Sequence, residues 1–195
     1  MNTPNKLTAL RILLSPVFIV LFLDNNLYFR LGALLVFLIA AATDLADGYY
    51  ARKYGVSTGF GKFMDPLADK VLVSSAFITF VALGYARWWM VAIIIGREFL
   101  ITGLRSLAAY RGMIISPTYW AKVKTVLQMT TVAVILLYIN VQTIYDHKGL
   151  ELTFVNPEQV ALGFDYLVGV TAAVTALTGV DYVVKYYSIL KTALR

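Results

Sequence analysis

The sequence predicts an all-α polytopic membrane protein with six transmembrane helices in one domain, residues 1–195. Three observations predict it. Of 195 residues, 59% are hydrophobic and only 14% charged, against about 25% charged in an average soluble domain. Mean hydropathy is +0.73, and one small soluble core could not bury that much apolar surface behind a polar exterior. The apolar residues also fall into six runs, each near the roughly 20 residues that a spanning helix needs. Disorder is excluded by the same composition.

The runs are Leu7–Leu23, Leu31–Tyr50, Leu67–Leu83, Trp88–Ala108, Val123–Ile144 and Leu162–Leu190. The first is broken by Arg11 and Pro16 and reads as an interfacial helix running into a span. It imitates a signal peptide, because Lys6 and Arg11 precede the apolar residues. No small-residue cleavage site follows Leu23, so the segment is expected to be retained. The second run ends among aspartates. Tyr85, Trp88 and Trp89 stand at the outer ends of the third and fourth, amphipathic aromatics of the kind that anchor at a membrane interface. The fifth and sixth are separated by the polar segment Asp146–Gln159, expected to be an outside loop. No repeat, low-complexity tract or long linker divides the chain.

Charge then orients the bundle. With the N-terminus inside, 14 of the 17 basic residues lie inside and only Arg30, Arg87 and Lys148 outside. The positive-inside rule places both termini and the 2–3 and 4–5 connections in the cytoplasm. The net charge of +6 reads as attraction to anionic membrane lipids, with no nucleic acid as partner. With no cysteine and a single histidine, His147, thiolate and His-rich metal sites are excluded.

Four of the 11 acids sit within 26 residues at the ends of apolar helices: Asp44, Asp47, Asp65 and Asp69. A carboxylate at the bilayer centre costs about 2.5–3.5 kcal/mol, and less near the interface. Asp44, Asp47, Gly48 and Ala51 follow i, i+3, i+4, i+7 spacing, one stripe of a helix. Gly61, Asp65 and Asp69 follow i, i+4, i+8, a second stripe. If the two helices are antiparallel neighbours, four carboxylates converge and repel unless metal is bound. Oxygen-only donors suit hard ions, Mg²⁺ or Mn²⁺. Plainer readings exist for single residues: Asp65 before Pro66 could cap a helix, Asp47-Gly48 could be a turn, and the glycines could serve helix packing.

Together the positions read D-x2-D-G-x2-A-R-x8-G-x3-D-x3-D, from Asp44 through Arg52 to Asp69. This pattern resembles that of the CDP-alcohol phosphotransferase family. The resemblance implies that family's six-helix fold, a homodimer in the bacterial cytoplasmic membrane and a site open to the cytoplasm. It implies transfer of a substituted phosphate from a CDP-linked donor to an alcohol, with release of CMP. A second set, Pro4 to Arg11, Gly96 to Arg105, and Lys122, Lys124, Thr125 and Gln128, is similar to family members that use glycerol 3-phosphate as acceptor and CDP-diacylglycerol as donor. Ala121 stands where glycine is common before the first lysine. Beyond about residue 130 the likeness rests on apolarity alone.

The roles that the resemblance implies are these. Asp44, Asp47, Asp65 and Asp69 hold metal, two ions, at the pyrophosphate, and Asp69 is also the general base. Asp44, Asp47, Gly48, Ala51, Ser57, Thr58 and Gly61 form the nucleotide site. Arg97, Arg105, Lys122 and Lys124, with Arg11 and Thr8 at the entrance, are expected to bind the acceptor phosphate, since a small dianion needs fixed cations. The plainer reading of Arg97 is a pair with Glu98 or another acid, and that of Lys122 and Lys124 is ordinary inside charge. Two rivals remain: the same chemistry on inositol phosphate, phosphatidylglycerol or serine, and a cation transporter with buried carboxylates along its path. The transporter leaves the small-residue clearings and the inside cations unexplained.

Overall fold

The computed structural model describes the backbone of residues 3–54, 59–110, 112–113, 119–150 and 156–187, and their side chains except those of 3–8, 44–54, 59–67 and 69. The described residues form six helices and no strand: α1 Thr3–Leu23, α2 Leu27–Tyr54, α3 Gly59–Ala82, α4 Trp88–Tyr110, α5 Tyr119–His147 and α6 Pro157–Lys185. All six expected helices are present, and most run past the apolar run that announced them. Hydropathy marks the stretch suited to lipid, whereas a helix continues wherever backbone hydrogen bonds do.

The largest difference is at α3. Its apolar run begins at Leu67, yet the helix begins at Gly59. Asp65 therefore lies inside the helix and is no N-cap. α6 begins at Pro157, inside the segment expected to be loop. Asn156 caps it, its side-chain oxygen accepting from the Glu158 N–H at 3.0 Å, with Pro157 in the first turn, where a missing N–H costs nothing. Asn26 does the same for α2, accepting from the Tyr28 N–H at 2.9 Å. α3 ends at Ala82, and the chain turns at Gly84, whose φ of 79° favours glycine, while Tyr85 N–H reaches back to the Phe80 carbonyl at 2.8 Å.

α3 is the central element, touching α1, α2, α4 and α5, while α6 packs on α4 and α5. The apolar core joins Phe18 and Phe22 of α1, Phe37 of α2, Phe77 and Phe80 of α3, Ile94 of α4, Ile135 and Ile139 of α5 and Val168 of α6. Phe18 stacks on Phe22 with centroids 5.4 Å apart and meets Phe37 at 5.5 Å.

The polar and apolar residues are distributed inside out. Arg11, Glu98, Lys124, Gln128, Asn140, Thr171 and Thr175 are buried, while Leu13, Val20, Leu35, Leu137, Leu162 and Leu177 are more than half exposed. Water would not tolerate that exterior, but lipid does. α5 and α6 are each long and apolar enough to cross a membrane by themselves.

Candidate active site

The motif aspartates fall where α2 ends and α3 begins. Asp44 and Asp47 lie on the last third of α2, and Asp65 and Asp69 on the first half of α3. The two helices touch. The side chains of Thr8, Asp44, Asp47, Gly48, Ala51, Gly61, Asp65 and Asp69 lie outside the described residues, as do Ser57 and Thr58 altogether. A donor set made only of carboxylates, spaced one helical turn apart on two touching helices, fits a hard divalent cation in its chemistry.

The described side chains build a buried ionic cluster, centred on a residue to which the sequence assigns no site role of its own. Glu98 of α4 is 4% exposed. Its carboxylate accepts from Lys124 of α5, from Lys70 of α3 at 3.1 Å and from Arg97 at 3.4 Å. Gln128 adds a bond from its side-chain amide at 3.2 Å and a second one to Thr175 of α6 at 3.3 Å. One carboxylate thus ties α3, α4 and α5 together. Its α3 partner, Lys70, follows Asp69 in the chain, so the cluster anchors the helix that carries the expected base. Three cations against one anion leave an excess of positive charge, which is costly in a low-dielectric interior unless an anion arrives.

Arg97 and Arg105 lie two turns apart on α4. The Arg97 Nη2 donates to Thr178 of α6 at 3.3 Å. Its Nε is buried without an acceptor, and so are the Arg105 Nε and the Tyr182 hydroxyl. The three groups are neighbours, each within reach of the others' charge. Two guanidinium groups and a phenol that are neighbours, each with one buried N–H or O–H left without an acceptor, form a natural cradle for an anion rich in oxygen.

Of the expected cations, Arg97, Arg105 and Lys124 come together here. Lys122 is exposed, two residues and therefore about 200° around the helix from buried Lys124. Arg11 is buried in α1, 2% exposed. Arg97 does pair with Glu98, the plainer reading of its position, yet the pairing leaves its Nε free.

The structure adds Glu98, Lys70 and the inward stripe of α6 to the site. That stripe, Thr171, Thr175, Thr178 and Tyr182, follows helical spacing and is buried throughout. Its signal was present as polar residues at i, i+4, i+7 and i+11 of an otherwise apolar helix.

A lipid-facing helical bundle that carries four motif aspartates on two touching helices, and a buried ionic cluster across α3, α4 and α5, defines a class. The chain belongs to the CDP-alcohol phosphatidyltransferase family, whose model it matches over residues 1–171. It is a membrane protein. Among similar proteins, one from Bacillus subtilis (strain 168) named CDP-diacylglycerol–glycerol-3-phosphate 3-phosphatidyltransferase is 38% identical over 205 residues, covering 98% of each chain. One of the same name from Rickettsia typhi is 36% identical over 93% of this chain and 94% of its own. A third, from Escherichia coli (strain K12), is 38% identical over 79% of this chain and 86% of its own.

Proposed function

We propose that the chain transfers the phosphatidyl group of CDP-diacylglycerol to sn-glycerol 3-phosphate, giving phosphatidylglycerophosphate and CMP in phospholipid synthesis. The observation that carries the choice of a phosphorylated acceptor is the half-buried pair Arg97 and Arg105, each with a buried Nε that has no acceptor. A phosphate dianion supplies the missing oxygens and charge. Serine or phosphatidylglycerol brings less charge and leaves the pair uncompensated. The shared name of relatives that align along nearly the whole chain supports the same reading.

In this reading Asp44, Asp47 and Asp65 hold two divalent ions, Mg²⁺ or Mn²⁺, with Asp69 close by. Bound there, the metal supplies charge neutralisation at the donor pyrophosphate. Gly48, Ala51 and Gly61 leave room for the cytidine against α2 and α3, and Ser57 and Thr58 offer it polar contacts. Arg97, Arg105 and Lys124 hold the acceptor phosphate, with Lys122, Arg11 and Thr8 at the approach, and so place the 1-hydroxyl toward α3. Asp69 takes the proton from that hydroxyl. The freed oxygen attacks the phosphorus bearing the diacylglycerol, the bond to CMP breaks, and CMP leaves. Holding both reactants in line removes most of the entropy of a bimolecular encounter.

The protein works as a homodimer in the bacterial cytoplasmic membrane, with both termini and the site facing the cytoplasm. The count of 14 basic residues on that side against three on the other supports this orientation. The test is an acceptor panel with labelled CDP-diacylglycerol and Mg²⁺: glycerol 3-phosphate, inositol phosphate, phosphatidylglycerol and serine. Phosphatidylglycerophosphate together with CMP is expected. A different phospholipid product, or none, refutes the assignment.

A further inference from the structure

We propose that α6 completes the acceptor site, with the Tyr182 hydroxyl donating a hydrogen bond to the acceptor's phosphate and so selecting a phosphorylated alcohol. The proposal rests on the reading of Arg97 and Arg105 as phosphate ligands. Three observations carry it.

Tyr182 is 2% exposed, and its hydroxyl lies beside Arg105, whose guanidinium can only donate to it, so the phenol's own O–H is left without an acceptor. A buried phenol normally finds an acceptor, because an unpaired donor loses its hydration without replacement. The orphan groups around it, the Nε atoms of Arg97 and Arg105, are donors. Neighbouring donors without acceptors call for a ligand made of acceptors, which a phosphate is and a hydroxyl or an ammonium is not.

The second observation is that α6 is shaped around Arg97. Thr178 accepts from the Arg97 Nη2 at 3.3 Å. At Gly179 a Cβ would stand 2.9 Å from Arg97 Cγ, closer than real side chains approach. Glycine there lets the arginine stem lie flat on the helix backbone, one turn before Tyr182 on the same face. The third is position. Residues 178, 179 and 182 form a single face of α6, the face that packs on α4.

The hydroxyl is a ligand-binding group, removed cleanly by Tyr182→Phe, which keeps the ring and its packing. The expected result is a KM for glycerol 3-phosphate raised about ten- to a hundredfold, as for loss of a charge-assisted hydrogen bond. The KM for CDP-diacylglycerol and kcat at saturating acceptor stay unchanged. Gly179→Ala shifts the acceptor KM in the same direction by displacing Arg97. Tyr166→Phe, an exposed tyrosine of the same helix, leaves every parameter alone.

Inorganic phosphate gives a readout independent of which alcohol is used. It should inhibit competitively against the acceptor in the wild type, with a weaker Ki in Tyr182→Phe. Unchanged acceptor KM and phosphate Ki in that variant overturn the proposal. So does a parallel rise in donor KM with a lower melting temperature, which marks a packing role. Failure of the acceptor reading is distinguishable: the wild type then turns over a non-phosphorylated alcohol and is indifferent to phosphate.

Discussion

Glu98→Gln tests the ionic cluster most sharply. The substitution keeps the side chain's shape and removes its charge. Three cations then lose their common anion, and their side chains are only 4% (Lys124), 10% (Arg97) and 24% (Lys70) exposed. Removing one member of a buried ion pair costs about 3–5 kcal/mol, mostly because the partner is left buried and unpaired. A chain of this size loses about 2–4 °C of melting temperature per kcal/mol, so the midpoint should fall by about 6–20 °C. Intrinsic tryptophan fluorescence of purified protein during heating reads it directly, through three tryptophans.

A double-substitution cycle separates charge from packing. Glu98→Gln with Lys124→Met removes the most deeply buried cation along with the anion, so the pair should be less damaging than the sum of the singles, by about 1 kcal/mol or more. A fall below about 2 °C for Glu98→Gln, or strict additivity in the cycle, would refute the reasoning that one carboxylate holds α3, α4 and α5 together.

Asp69→Asn should cut turnover about 10²–10⁴-fold while leaving the donor KM nearly unchanged, the signature of a lost general base; near-normal turnover sinks that role, and lost donor binding reassigns the residue to the metal. Chelation should abolish CMP release, and added Mg²⁺ or Mn²⁺ should restore it; activity that survives exhaustive chelation contradicts the carboxylate site. Arg30→Met acts at the far end of the bundle. Arg30 is buried there and donates to Thr143 of α5 at 2.6 Å and to the Asp24 carbonyl at 3.0 Å. Loss of these bonds should cost about 2 kcal/mol and lower the melting temperature by about 4–8 °C, with both KM values unchanged. A shifted KM would mean that the two ends of the bundle are coupled.

The carboxylate motif was legible because its spacing lies within single helices. Asp44 and Asp47, or Asp65 and Asp69, share a face by periodicity alone, whatever the helices pack against. Arg97, Arg105 and Lys124 were legible as cations on α4 and α5. Their division of labour was not, since Glu98 looked like no more than Arg97's neighbour in sequence. Only the meeting of α3, α4 and α5 brings Lys70 and Lys124 to the same carboxylate. The helical reach of α3 back to Gly59 was hidden for a different reason: the polar residues before Leu67 break the hydropathy signal without breaking the helix.

By itself the sequence determined that this protein is a helical bundle solvated by lipid, and where along α2 and α3 its carboxylates stand. Composition and one-dimensional spacing are enough for that, because every residue of a spanning helix meets either lipid or the bundle. The tertiary structure decided which polar residues are partners. Thr178, Gly179 and Tyr182 are unremarkable in an apolar helix until that helix is laid against α4. An isolated helix has a polar face, but the arginines that this face completes belong to another segment some eighty residues away.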